Sequence, residues 1–277
     1  MSDVDDFTTR IGEAAGGNDV GLRAEFGDDR VMRIKLVRTP GNRMSWAMLD
    51  GLRRVAEVLQ EPGPARAVLM THSGEDFCQG ADLGDSALAA KMAAGRSSRM
   101  ELARAGAAMI RDFATLPIPL VVGAEGKAIG GGAGLWFAAD FRVSSEQSTV
   151  CFPEVDRGMH LSWGLSALVA HEVGSSMARW LTVLGKEVLM TDLGRGVSEP
   201  VAAGEVFIRA TALARELAAK PPLALRAILE VERRARRAML AHCHDDAEVF
   251  ADTVESRDFA EAMSAHFEKR VGYFEGK

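Results

Sequence analysis

The run Gly126-Lys-Ala-Ile-Gly-Gly-Gly-Ala-Gly-Leu135 follows a short apolar stretch, Pro119-Leu-Val-Val-Gly123, and its reading decides the fold. A strand that ends in consecutive glycines and turns into a helix leaves backbone N–H groups without side-chain cover at the helix start, where the dipole favours negative charge. That arrangement can hold an oxyanion, while the same glycines also serve a plain tight turn between strand and helix. Two nucleotide-binding patterns are excluded. The phosphate loop Gly-x4-Gly-Lys-Ser/Thr fails because Ala128 stands at the hydroxyl position and Val121 at the first glycine. The dinucleotide pattern Gly-x-Gly-x-x-Gly fails because its third glycine falls on Leu135 or Phe137.

Working outward, a second segment of the same kind, Asp76-Phe-Cys-Gln-Gly-Ala-Asp-Leu-Gly84, follows a short buried strand, Ala67-Val-Leu-Met70. In open α/β sheets ligands gather in the loops beyond the carboxyl ends of strands, so both segments lie where chemistry is expected. Upstream, Leu22–Phe26 and Val31–Val37 alternate apolar with polar residues about a Gly27–Arg30 turn, which predicts an antiparallel hairpin. Helical spacing over 46–60 is stopped by Pro62-Gly-Pro64, and a second helix over about 98–115 ends before Pro117. Strands alternating with helices predict βαβ crossovers and a mostly parallel sheet. From about residue 162 to about residue 265, alanine, leucine, arginine and glutamate recur at helical spacing. The expected organisation is a loose, flexible arm over 1–20, an α/β core over 21–200 and a helical carboxyl-terminal region over 201–277.

Composition narrows the function classes. The chain has 277 residues, 47% hydrophobic and 26% charged, and its 33 basic and 39 acidic residues leave a net charge of −6. Nucleic acid is therefore not an expected partner. The first residues are acidic, and no apolar run approaches the roughly 20 residues that span a bilayer, so a cytoplasmic protein without membrane association is expected. Three cysteines without CxxC spacing signal neither a disulfide frame nor a cysteine zinc site. His242-Cys-His-Asp-Asp246 lies in the helical region, where residues two apart point about 200° away from each other, so no metal site is expected there. The basic run Arg233-Arg-Ala-Arg-Arg237 reads as a solvated helix face.

Taken together the segments resemble the crotonase family, the enoyl-CoA hydratase/isomerase superfamily. The likeness rests on Phe77-Cys-Gln-Gly-Ala-Asp-Leu83, on Gly126-Lys-Ala-Ile-Gly-Gly-Gly132 with Asp140-Phe-Arg142 downstream, and on Phe152-Pro-Glu-Val155 leading to Gly158. The tail Phe267-Glu-Lys-Arg-Val-Gly-Tyr-Phe274 looks like the family's closing helix. The resemblance implies a spiral of ββα turns and a helical carboxyl-terminal region that assembles a homotrimer or a dimer of trimers. It implies an acyl-thioester substrate, on coenzyme A or an acyl carrier, and no cofactor apart from that carrier.

By the same resemblance the backbone N–H groups of Ala81 and Gly131 fall on the family's oxyanion hole, and Glu154 falls on a catalytic glutamate. Gly130, Gly132, Gly134, Asp82 and Lys269 are expected along the substrate, with Asp82 also fixing its turn. Lys269 and Arg23 are candidates for the carrier's phosphates. The family's hydratases use two glutamates, yet the first of the two positions is Gly134 here. One carboxylate above an oxyanion hole can take an α or γ proton and return it elsewhere, which points to double-bond isomerisation. Two alternatives stand beside it: hydration or hydrolysis with Glu154, a water and His160, and thioester binding without turnover. In the loop Met159-His-Leu-Ser-Trp163, His160 is the candidate second acid/base, and Ser162 reads as the cap of the next helix. Met92, Met100 and Met109 fit either an acyl pocket or core packing.

Overall fold

The computed structural model describes residues 3–194, 196–243 and 245–277. The stretch expected as a loose arm instead carries a helix, α1 (Asp3–Ala15). Its apolar residues Phe7, Ile11, Ala14 and Ala15 repeat at helical spacing and are buried. Phe7 meets Phe26 edge to face at 5.3 Å, which fixes α1 against the first strand. The hairpin forms as expected from β1 (Leu22–Phe26) and β2 (Val31–Leu36), antiparallel, with Leu22 opposite Leu36 and Phe26 opposite Met32.

Helix α2 (Trp46–Gln60) begins where the Ser45 hydroxyl accepts from Met48 N–H at 3.2 Å, and it buries Met48, Leu49, Leu52, Val55, Ala56 and Leu59. Replacing Ser45 by alanine is expected to cost about 1 kcal/mol, read from the urea midpoint. A change within a few tenths of a kcal/mol would mean that the cap does not hold the helix. Then follow β3 (Ala67–His72), α3 (Ser86–Ala93), α4 (Arg96–Ala114), β4 (Leu120–Ala124), β5 (Lys127–Ile129), α5 (Gly131–Phe137), β6 (Phe141–Ser145) and β7 (Thr149–Cys151). The helical second half contains α6 (Leu165–Thr182), α7 (Val206–Ala218), α8 (Pro222–Ala241), α9 (Asp246–Val254) and α10 (Arg257–Glu268). Two short strands that helical spacing does not predict interrupt it, β8 (Val188–Leu189) and β9 (Glu199–Val201).

The larger sheet runs β1-β2-β3-β4-β6-β9, parallel from β2 onward. Its strands are apolar on both faces because both faces are covered. Val31, Ala67, Leu69, Val121 and Val143 point to α7 and pack with Val206, Ala210, Ala214 and Leu217. Their alternate neighbours Met32, Ile34, Val68, Met70, Leu120 and Val122 point the other way, into the main core. A smaller sheet, β5-β7-β8, stands beside it. The spiral is visible in the strand pairs: β4 joins the large sheet and β5 the small one, and β6 and β7 repeat the step.

The basic run on α8 is solvated on one side of the helix only. Arg233 and Arg236, three residues apart on one side of the helix, are 1% and 3% exposed. Arg233 donates to Asp140 Oδ2 at 2.7 Å, and Arg236 donates to Asp140 Oδ1 at 3.3 Å and Glu172 Oε1 at 2.9 Å. Arg142, equally buried, completes the group by donating to Glu172 Oε2 at 2.7 Å. Arg234 and Arg237, on the other side of α8, pair with Glu230. Exposed His242 ends α8 with Nδ1 2.6 Å from the Ala238 carbonyl, and His244 lies outside the described residues. Among the described residues no helix is long and apolar enough to cross a membrane.

Candidate active site

Three parallel backbone segments end side by side. In the small sheet Ile129 stands opposite Cys151, so β5 and β7 deliver Gly130 and Glu154 a few residues beyond a shared register. Cys78 bridges to Ala128 on the other side of β5, donating to the Lys127 carbonyl at 3.1 Å and accepting from Ile129 N–H at 2.9 Å. That bridge brings Gly80 and Ala81 alongside the same loop. A Cβ on Gly80, whose φ is +81°, would stand 2.8 Å from the Ile129 carbonyl oxygen and 3.8 Å from Gly131 N. Only a residue without a side chain lets the two loops approach so closely.

The direction of each amide follows from its peptide plane. The Gly80 carbonyl accepts from Met44 N–H at 2.7 Å, and in a trans peptide the next N–H points the opposite way, so Ala81 N–H is turned away from Met44. The Gly130 carbonyl accepts from Gly134 N–H at 2.9 Å, inside the first turn of α5. Gly131 N–H therefore points out of the helix start, among the donors that a first turn leaves unpaired. Gly132 backs onto the Cys78 carbonyl.

Glu154 closes the arrangement. A Cβ on Gly130 would stand 2.6 Å from Glu154 Oε1, so the carboxyl group lies directly over that glycine. The residue as a whole is partly exposed, yet its Oε2 is shut from water and has no hydrogen-bond partner. Burial disfavours the charged form and pushes its pKa up to about 7, against the pull of the nearby Arg157 guanidinium. Its main-chain carbonyl accepts from Arg157 and Met159 N–H, both at 3.0 Å, which sets the turn leading into the next loop. A carboxyl group poised near neutrality beside outward-facing amide donors can take a proton from carbon and give it back.

The other expected site residues are distributed as follows. Asp82 fixes its turn, accepting from Arg38 at 2.6 Å and from Gly84 N–H at 3.1 Å. Gly134 lies buried in α5 with Leu165 and Ile110 beside it. His160 is held toward α9, its N–H donating to Thr253 Oγ1 at 3.0 Å and its Nε2 3.5 Å from Asp246 Oδ1. Ser162 does not cap α6; Gly164 takes that place, and its N–H donates to Asp246 at 2.8 Å. Lys269 ends α10, exposed and in a left-handed conformation, while Arg23 donates to Asn18 at 2.8 Å. Met109 is buried in the main core, and Met92 and Met100 pack against a smaller cluster with Phe250 and Val254 of α9. The sequence reading missed Trp163, whose ring lies against Gly131. Its signal is a bulky residue directly before Gly164, at a tight turn.

Comparison with known proteins identifies the family of the chain and its fold. A family model described as enoyl-CoA hydratase/isomerase matches residues 27–277. The human mitochondrial enoyl-CoA hydratase domain-containing protein 2 is 26% identical over 95% of this chain and 92% of its own. An enoyl-CoA isomerase/hydratase of Mycosarcoma maydis is 28% identical over 85% of this chain and 89% of its own. A crystal structure of an enoyl-CoA hydratase/isomerase from Mycobacterium paratuberculosis shares the fold with a TM-score of 0.79, over 88% of this chain and 98% of that one at 22% identity. The glycine loop and the Pro-Glu turn fall within the matched span, and the chain belongs to the enoyl-CoA hydratase/isomerase family of the crotonase superfamily.

Proposed function

We propose that the protein moves a double bond within an enoyl thioester carried on coenzyme A, using one carboxylate as both base and acid. The observation that carries this reading is that the carboxyl group of Glu154 stands over the glycine loop while position 134 is a glycine. At position 134, where a second glutamate is needed for two-carboxylate hydration, a Cβ would stand 2.8 Å from Leu165 Cδ2 and 3.1 Å from Ile110 Cδ1. Apolar side chains occupy that space, so a charged group has neither room nor a partner there.

In this reading the thioester oxygen of a 3-enoyl substrate accepts hydrogen bonds from Ala81 and Gly131 N–H. Glu154 removes the α proton, the C–H electron pair delocalises over the oxygen and the γ carbon, and the same proton returns to the γ carbon. The double bond moves one position, and no atom is gained or lost. Two preorganised donors act on charge that develops in the transition state, and each is worth about 3 kcal/mol.

Hydration with Glu154 and His160 is the competing reading, favoured by the names of relatives such as the human methylglutaconyl-CoA hydratase. A panel of 2-enoyl and 3-enoyl thioesters turned over in 18O-labelled water separates the two. Migration of the double bond without label in the product is the expected result. A labelled 3-hydroxyacyl product as the main species would replace isomerisation by hydration, and binding without turnover would leave a thioester carrier.

A further inference from the structure

Trp163 combines a strained backbone with a ring in a slot between two glycines. Its φ is +67°, that of Gly164 is +70°, and Leu165 N–H donates to the Ser162 carbonyl at 3.3 Å. A turn with positive φ at both central positions favours glycine, asparagine or aspartate, and a bulky residue there needs compensation from its surroundings. The compensation is the packing of the indole. A Cβ on Gly106, in α4, would stand 1.9 Å from Cε2 and 2.2 Å from Nε1 of the ring. A Cβ on Gly131 would stand 2.6 Å from Cζ3 and 3.0 Å from Cη2. The indole therefore spans the gap from α4 to the glycine loop, and a side chain at either end would displace it.

Gly131 carries one of the amides assigned above to the thioester oxygen, so the ring stands beside the loop that would hold the carbonyl. We propose that Trp163 is the specificity residue of the site, a wall that admits short acyl groups and stops long ones. This inference rests on the thioester reading. With the indole in its slot, an acyl chain beyond its first few carbons meets an aromatic face and the body of α4. With the indole cut back, the slot it fills between Gly106 and Gly131 is left for the chain. Each methylene that finds apolar cover raises affinity about fourfold, so two or three are enough to invert the preference.

Saturated acyl thioesters test the wall without any chemical step. Butyryl-CoA and dodecanoyl-CoA are titrated calorimetrically into the unmodified protein and into Trp163→Ala and Trp163→Phe variants, each first checked for folding by its thermal melt. The ratio of dodecanoyl to butyryl affinity is expected to rise at least tenfold in Trp163→Ala and by a smaller factor in Trp163→Phe, which carries the comparison if the alanine variant does not fold. A ratio unchanged in every folded variant overturns the wall and leaves the thioester reading intact. Failure of the unmodified protein to bind either thioester at millimolar concentration overturns the thioester reading, and the wall with it.

Discussion

Replacing Glu154 by glutamine is expected to lower turnover of a 3-enoyl thioester by about 10²–10⁴-fold while leaving thioester binding within a few-fold, because glutamine keeps the shape and loses the base. The same variant is expected to be more stable than the parent at and above neutral pH. Burial raises the folded-state pKa of Glu154 from its ordinary 4.5 to about 7. A group so raised contributes stability that is fully present below the unfolded value and lost as pH climbs through the folded one. Glutamine does not titrate, so its advantage is absent near pH 4 and grows to the order of 2 kcal/mol by pH 8. Turnover by the parent is expected to rise with pH through about 7, because only the ionised carboxylate takes the proton. Thermal melts of both proteins between pH 4 and 8, with single-turnover rates alongside, check each half. A variant with undiminished turnover would remove Glu154 from the reaction, and parallel melting curves would mean that its carboxyl group is solvated in the folded protein.

Replacing Asp140 by alanine is expected to destabilise the fold by about 3–5 kcal/mol. Its side chain, 6% exposed, accepts from Arg233, Arg236 and the Leu120 N–H at the start of β4. Without it Arg233 loses its carboxylate partner and keeps the Ile118 carbonyl, while Arg236 keeps Glu232 and the Glu172 carboxylate that Arg142 also uses. An unpaired buried charge is costly, whereas a complete ion group replaced by apolar residues is often neutral. Asp140→Asn, which keeps an acceptor for Leu120 N–H and discards the charge, is expected to fall between the parent and the alanine variant. Urea denaturation measures both, and a loss under about 1 kcal/mol for alanine would show that the arginines find water or other acceptors.

Much of the candidate site is legible in the sequence because it is local in the chain. A glycine run after an apolar strand, a second glycine-containing turn and a Pro-Glu dipeptide each signal a conformation that few other residues permit. The hairpin, α2 and β3 were legible for the same reason, since period and punctuation lie within a dozen residues. What escaped depends on distant partners. Arg233 reads as surface until Asp140 is brought to it from 93 positions away. The three residues of β9 carry no period of their own and become a strand only by pairing with β6. Helix α1 was obscured by its acidic residues, although Phe7, Ile11 and Ala14 already mark one face. Trp163 matters through Gly106 and Gly131, which contact it from two other parts of the chain.

The outer margins of the large sheet carry one more consequence. At one margin α1 lies against β1, and at the other the three residues of β9 include Pro200, which has no N–H to offer a newcomer. Main-chain zippering between copies, the route by which open sheets grow into fibrils, therefore meets a broken ladder at the β9 margin. A neighbour that approaches this margin meets it through side chains rather than through the main chain.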